Sequence, residues 1–178
     1  HWDHWGALES ILKANQGKIP RGTPFYVGEE AFMERASVRP GSSEATKLGR
    51  LNKDAIESLG GFRVIEVKEP TAVMKGGYFT GNIERVTDYE KVPSNLLVKR
   101  GDKFEPDQFR GEQALFFNVK GKGLVILVGC AHPGIVNIVK HVQKTAGVQK
   151  VHAVLGGFHL VGAKPELIQK TITDIKNI

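Results

Sequence analysis

Residues 124–139 read Leu124-Val-Ile-Leu-Val128, then Gly129-Cys-Ala-His132, then Pro133-Gly-Ile-Val-Asn-Ile-Val139. The first part is apolar and β-branched, which predicts a strand. Gly129 to Gly134 predicts a tight turn that bears a histidine. Ile135, Ile138, Val139 and Val142 then recur at helical spacing up to Gly147, with Pro133 expected at the first helical position. Val151 to Leu155 reads as a buried strand, and Gly156-Gly-Phe-His159 as the loop after it. Pro165 to Ile178 reads as a last amphipathic helix carrying Leu167, Ile168, Ile172 and Ile175. Strand, glycine-containing turn with a histidine, and helix thus occur twice in succession. That is the unit of an α/β fold, in which ligands gather beyond the carboxyl ends of the strands.

Working outward, Ala114 to Val119 and Leu124 to Val128 flank Lys120-Gly-Lys-Gly123, a hairpin signal. Residues 80–112 contain few apolar runs and are expected to form an extended middle loop with short strand pieces, a candidate lid or binding loop. Further upstream the patterns predict strands over 23–27, 62–67 and 72–74 and short helices over 29–35 and 54–59. Residues 3–14 read as a helix that Asp3 can cap, with Ala7, Leu8, Ile11 and Leu12 on its apolar stripe.

Composition bounds the class. The 178 residues are 40% hydrophobic and 25% charged, which fits one domain or one large piece of a bigger domain and is too apolar for a disordered chain. A single cysteine, Cys130, excludes a disulfide-stapled scaffold. No apolar run approaches the roughly 20 residues of a membrane helix. No leader pattern is visible at the start, so the expected location is the cytoplasm and no membrane partner is expected. Lys and Arg number 25 against 19 Asp and Glu, a net charge of +6. The lysines are scattered along the chain rather than massed in one block, so nucleic acid is not the favoured partner.

Three regions bear metal-competent side chains. His1-Trp-Asp-His4 packs two imidazoles and a carboxylate into four residues, a donor set that suits zinc, manganese or iron. The plainer reading makes Asp3 a helix cap and His1 and His4 surface residues. His132 lies in a turn shaped by Gly129 and Pro133-Gly134, and His159 follows a glycine pair. Cys130 reads either as a ligand or as a small buried hydrophobe. His141, mid-helix, is expected to be solvated and His152 to be structural. Gly156-Gly157 is a weak phosphate-cradle signal. Lys99, Arg100 and Arg110 are equally read as attracting an anionic substrate or as solvated loop charges.

His1-Trp-Asp-His-Trp-Gly6-Ala-Leu8 resembles the trailing part of the metallo-β-lactamase superfamily signature, H-x-H-x-D-H followed by a small residue and Leu. Gly129-Cys-Ala-His-Pro-Gly134, Leu155-Gly-Gly-Phe-His-Leu160 and the loop from Tyr78 to Glu90 are similar to one branch, that of the dihydropterin ribofuranosylaminobenzene phosphate synthase-like proteins. The resemblance implies a metallo-β-lactamase-like αβ/βα sandwich, here part of one, with a mixed sheet and helices on one face in a single partial domain over 1–178. It implies two divalent metals, zinc first, held by His1, Asp3, His4, His132 and His159, with Asp3 also the catalytic residue orienting the attacking water. On the same resemblance the first signature histidine would lie two residues before His1, and a His-Cys-Thr-Gly motif beyond Ile178. The chain is therefore expected to be shorter than the family at both ends, and the isolated chain to lack at least one ligand.

The implied function is metal-dependent hydrolysis, a metal-bound hydroxide attacking a phosphoester or ester-like centre of a small phosphorylated or pterin-like molecule. Two alternatives stand beside it: a nucleic-acid-processing relative, whose binding would fall steeply with salt, and a non-catalytic piece that self-associates into a homo-oligomer through an exposed sheet face.

Overall fold

The computed structural model describes residues 5–39 and 41–178. His1, Asp3 and His4 therefore lie outside the described residues, as does the expected Asp3 cap. The elements in chain order are α1 (Leu8–Ala14), β1 (Pro24–Gly28), β2 (Arg35–Val38), β3 (Ala45–Gly49), α2 (Lys53–Ser58), β4 (Arg63–Val67), β5 (Thr71–Met74), β6 (Gly77–Phe79), β7 (Leu96–Arg100), β8 (Lys103–Pro106), β9 (Ala114–Val119), β10 (Gly123–Val128), α3 (Ile135–Ala146), β11 (Val151–Leu155) and α4 (Pro165–Lys176). No helix among the described residues is long and apolar enough to cross a membrane. The chain divides into two compact units, one running to Glu66 and including Pro93–Asp107, the other comprising Val67–Val92 and Gln108–Ile178.

The first unit holds an antiparallel sheet in the order β3-β2-β7-β8 and the separate pair β1-β4. Ala36 and Val98 are fully buried on the two central strands, which pair with Arg35 opposite Val98. The helix expected over 29–35 is absent. Turns occupy 29–33, Glu30 takes a left-handed φ of 63°, and β2 begins at Arg35. A seven-residue helix is marginal by itself, and here pairing with the following strand β3 and the distant strand β7 overrides local propensity. The expected loop over 80–112 splits: 93–107 carries the β7–β8 hairpin, while 80–92 is irregular. Lys99 and Arg100 sit on that hairpin in ion pairs, Lys99 with Glu34 at 3.4 Å and Arg100 with Glu30 at 2.6 Å. Both are therefore matched by carboxylates rather than arrayed to draw in an anion. Asn52 caps α2 by accepting the Ala55 amide hydrogen at 3.1 Å.

The second unit is built on the five-stranded sheet β11-β10-β9-β6-β5. β9 and β10 form the expected antiparallel hairpin, Ile126 opposite Phe116 and Val128 opposite Ala114. β10 and β11 are parallel, joined by α3 in a βαβ crossover. Ile135, Val136, Ile138, Val139 and Val142 of α3 merge with Ala114, Phe116, Leu124 and Ile126 of the sheet into one buried core. Each of the larger aliphatic side chains buried there stabilises the fold by about 1.5–3 kcal/mol. Helix α3 ends at Gly147, whose φ of 65° is the left-handed conformation that glycine adopts cheaply. Its start differs from expectation. Gly134, at φ 101°, is the residue before the first helical turn, which places Pro133 just outside the helix. β11 was expected to be buried but forms the sheet edge, leaving His152 and Leu155 exposed. Pro165 opens α4, which packs on α3 and sends Ile175 against the core.

Candidate metal centre at two histidine turns

β10 and β11 rise in parallel, so their carboxyl ends deliver the two histidine turns side by side. The Gly157 amide donates to the Gly129 carbonyl at 2.7 Å, tying one turn to the other. The glycine pair is thus a close backbone approach between strand ends, which explains it without a phosphate. The result is that the rings of His132 and His159 lie 4.5 Å apart, centroid to centroid, tilted by 51°. A small cavity of about 50 Å³ opens beside them, lined by Glu90, Ala131, His132, Ile135, Phe158 and His159 among others. That volume holds a few waters or an ion.

The backbone around the pair is strained. Among the described residues, four non-glycine residues have positive φ, and three of them are here: Phe109 at 51°, Ala131 at 59° and His159 at 48°. Such conformations cost of order 1–3 kcal/mol each and persist where the surroundings over-determine them, a pattern that clusters at functional sites.

His132 is buried and held on two sides. Phe109 stacks on its ring at 4.1 Å with planes 12° apart. Glu112 places one carboxylate oxygen on the His132 backbone N–H at 3.0 Å and the other on Nδ1 at 2.5 Å. Neither Phe109 nor Glu112 was singled out in the sequence. The hairpin register was the available signal for Glu112: with Ala114 opposite Val128, a residue two positions before Ala114 reaches the turn after Val128.

The loop over 80–92 is fastened to the helix that follows His132. Glu90 accepts the Val136 and Asn137 amide hydrogens at 2.9 and 2.8 Å and the Thr87 hydroxyl at 3.0 Å. A carboxylate at this end also complements the helix dipole. The side-chain oxygen of Asn137, fully buried, accepts the amide hydrogens of Val86 and Thr87 at 2.7 and 2.8 Å, and its side-chain nitrogen donates to the Pro133 carbonyl at 2.8 Å. Tyr89 donates its hydroxyl to Asp174 at 2.8 Å, and burial, helped by that bond, raises its phenol above the ordinary range.

His141 and His152 do not join the pair. His141, expected to be solvated, instead accepts the Glu84 amide hydrogen on Nδ1 at 3.3 Å. His152 is exposed on the edge strand. Cys130 is half-buried in the same turn as His132. Among the described residues, no three His, Cys, Asp or Glu side chains form a complete metal-holding group. What the pair provides is two adjacent imidazoles, one of them backed by a carboxylate, which is the donor chemistry of part of a divalent-metal site.

No protein-family profile matches the chain. It is 36% identical over 181 residues to the 7,8-dihydropterin-6-methyl-4-(beta-D-ribofuranosyl)-aminobenzene-5'-phosphate synthase of Methanocaldococcus jannaschii, covering 100% of this chain and 60% of that protein. It is 25% identical to the uncharacterised protein MJ0448 of the same organism, covering 99% of this chain and 61% of that one. The chain therefore spans about 60% of the length of the curated relatives it matches. Its structure resembles the crystal structure of Tm1679, a metal-dependent hydrolase of the beta-lactamase superfamily, with a TM-score of 0.72 and 22% identity over 89% of this chain and 57% of that one. At that identity the likeness establishes the fold.

Proposed function

We propose that the chain belongs to the metallo-β-lactamase superfamily, on the branch of the dihydropterin ribofuranosylaminobenzene phosphate synthase-like proteins, a reading supported by its 36% identity to one such synthase and by its fold, and that it is the metal-holding part of an enzyme with hydrolase-like chemistry, acting at a phosphoester or ester-like centre of a small molecule. The observation that carries this reading is the meeting of His132 and His159 at the ends of two parallel strands. The name of the Methanocaldococcus jannaschii synthase contains a pterin and a 5'-phosphate, and these set the substrate class proposed here.

In this reading His132 and His159 contribute imidazole nitrogens to a divalent metal, zinc first. His1, Asp3 and His4 enter as further ligands through the sequence motif alone, and Asp3 as the residue that orients water. A divalent metal so held supplies Lewis acidity toward a substrate oxygen and toward water. The chain's own contribution is to fix the imidazoles before any ligand arrives. Paired strands set their spacing, the strained turns set their direction, and Phe158 and Ile135 wall the cavity with apolar surface.

Zinc titration of the purified chain by calorimetry tests the reading, with His132→Ala, His159→Ala and His152→Ala alongside. Loss of either paired imidazole is expected to weaken zinc binding at least tenfold, and His152→Ala to leave it unchanged. Equal binding by all four proteins would remove the pair from the metal site.

A further inference from the structure

The segment between the two units' last boundary and β9 contains a turn, closed by the Glu112 amide donating to the Phe109 carbonyl at 3.1 Å. Its two ends converge on one ring. Phe109, itself buried, covers a face of His132, and the Glu112 side chain, 15% exposed, spans the backbone N–H and Nδ1 of the same residue. A carboxylate only accepts, so in neutral His132 the Nδ1 nitrogen carries the hydrogen that Glu112 takes, and Nε2 is left with the lone pair. A flat aromatic ring at stacking distance opposes rotation of the imidazole, which would exchange Nδ1 with carbon. The stack thus fixes the plane of the ring, and Glu112 fixes which edge of it carries Nδ1.

We propose that the Phe109–Glu112 turn is a positioning element, with Glu112 holding His132 in the Nδ1–H tautomer so that Nε2 is the nitrogen given to the metal. The inference rests on the metal reading above and deepens it. Glu112 touches neither metal nor substrate in this scheme and acts through His132. Residues in that position commonly govern metal affinity by 10–100-fold. The left-handed backbone at Phe109 fits the role, since a strained residue is retained where its side chain must land in one place.

The test pairs imidazole nitrogen NMR with zinc calorimetry on the whole chain. In the metal-free wild type, His132 is expected as the Nδ1–H tautomer, and zinc is expected to perturb its Nε2 signal. Glu112→Gln replaces one acceptor oxygen with a donor amide, so it cannot serve both N–H groups. It is expected to populate the Nε2–H tautomer and weaken zinc binding about 10–100-fold. Glu112→Asp, which keeps the charge, is expected to retain the Nδ1–H tautomer and to recover part of the affinity, and it serves as the second variant if the first fails to fold. Zinc binding through His132 that neither variant alters, with the tautomer unchanged, overturns the positioning role alone. A wild type whose His132 and His159 signals ignore zinc overturns the metal reading and this proposal together.

Discussion

A Cβ placed on Gly156 would fall 2.1 Å from the carbonyl oxygen of Val128, closer than any side chain can approach. Gly156 also sits at φ 135°. The turn before His159 is thus pressed against the end of the strand that leads to His132. Gly156→Ala is expected to destabilise the chain by roughly 1–3 kcal/mol through overpacking, with the strained φ adding to it. Gly121→Ala meets no atom within 4 Å and is expected to cost only about 1–2 kcal/mol, from its left-handed backbone. Urea unfolding midpoints of the two variants check the order, and a reversed order would contradict the close approach.

Asn137 supplies the acceptor for two loop amides from inside a helix. Asn137→Ala leaves the Val86 and Thr87 amides, on an exposed and a half-buried residue, without that acceptor, at about 0.5–1.5 kcal/mol for each hydrogen bond lost. Hydrogen exchange read peptide by peptide should show the stretch around Val86 and Thr87 losing protection well beyond the rest of the sheet. Unchanged exchange there would mean the loop is held by other contacts.

Glu90 is the corresponding clamp from the loop side. Glu90→Gln keeps the shape but loses the charge that faces two amides at the start of α3. Charge-assisted hydrogen bonds contribute about 1.5–3 kcal/mol each, so a loss within that range in total is expected, because the amide still accepts at one oxygen. Denaturant titration measures it, and a cost below a few tenths of a kcal/mol would show that the carboxylate charge is immaterial.

Tyr89 gives the fold an alkaline limit. Its phenol is raised in the folded chain, first by burial and then by its bond to Asp174. A raised group contributes stability that is complete below the ordinary phenol range near 10 and is lost as pH rises through the folded value. Wild-type stability should therefore decline above about pH 10. Tyr89→Phe, which lacks the ionisable proton, should decline less steeply. Parallel slopes from about pH 8 to 11 would exclude Tyr89 as the source.

The part of the fold that frames the histidines was legible because its signals are local. Ile135, Ile138, Val139 and Val142 mark one helix face, Gly147 stops the helix, and the β-branched runs of β9 and β10 flank a glycine turn. The first unit was harder to read. Residues 29–33 are rich in helix formers, yet the following strand exists because β3, the next strand, and β7, far along the chain, pair with it on either side. β3 itself, Ala45 to Gly49, is mostly exposed and shows no apolar alternation to betray it. Within the site, His132 and His159 stood out through the glycines and proline around them. Glu112 and Glu90 did not, because a carboxylate acquires its role only when strand register or loop path brings it to a partner.

Among the described residues strand β11 has β10 as its only neighbour in the sheet, and one imidazole of the pair lies just beyond its end. Heat should peel such a margin before it melts the interior. Separation of the two rings should then be visible as a vanishing mutual ring-current shift while the hairpin beside it stays intact. The contact between the two rings is thus a built-in thermometer of the crossover that carries them.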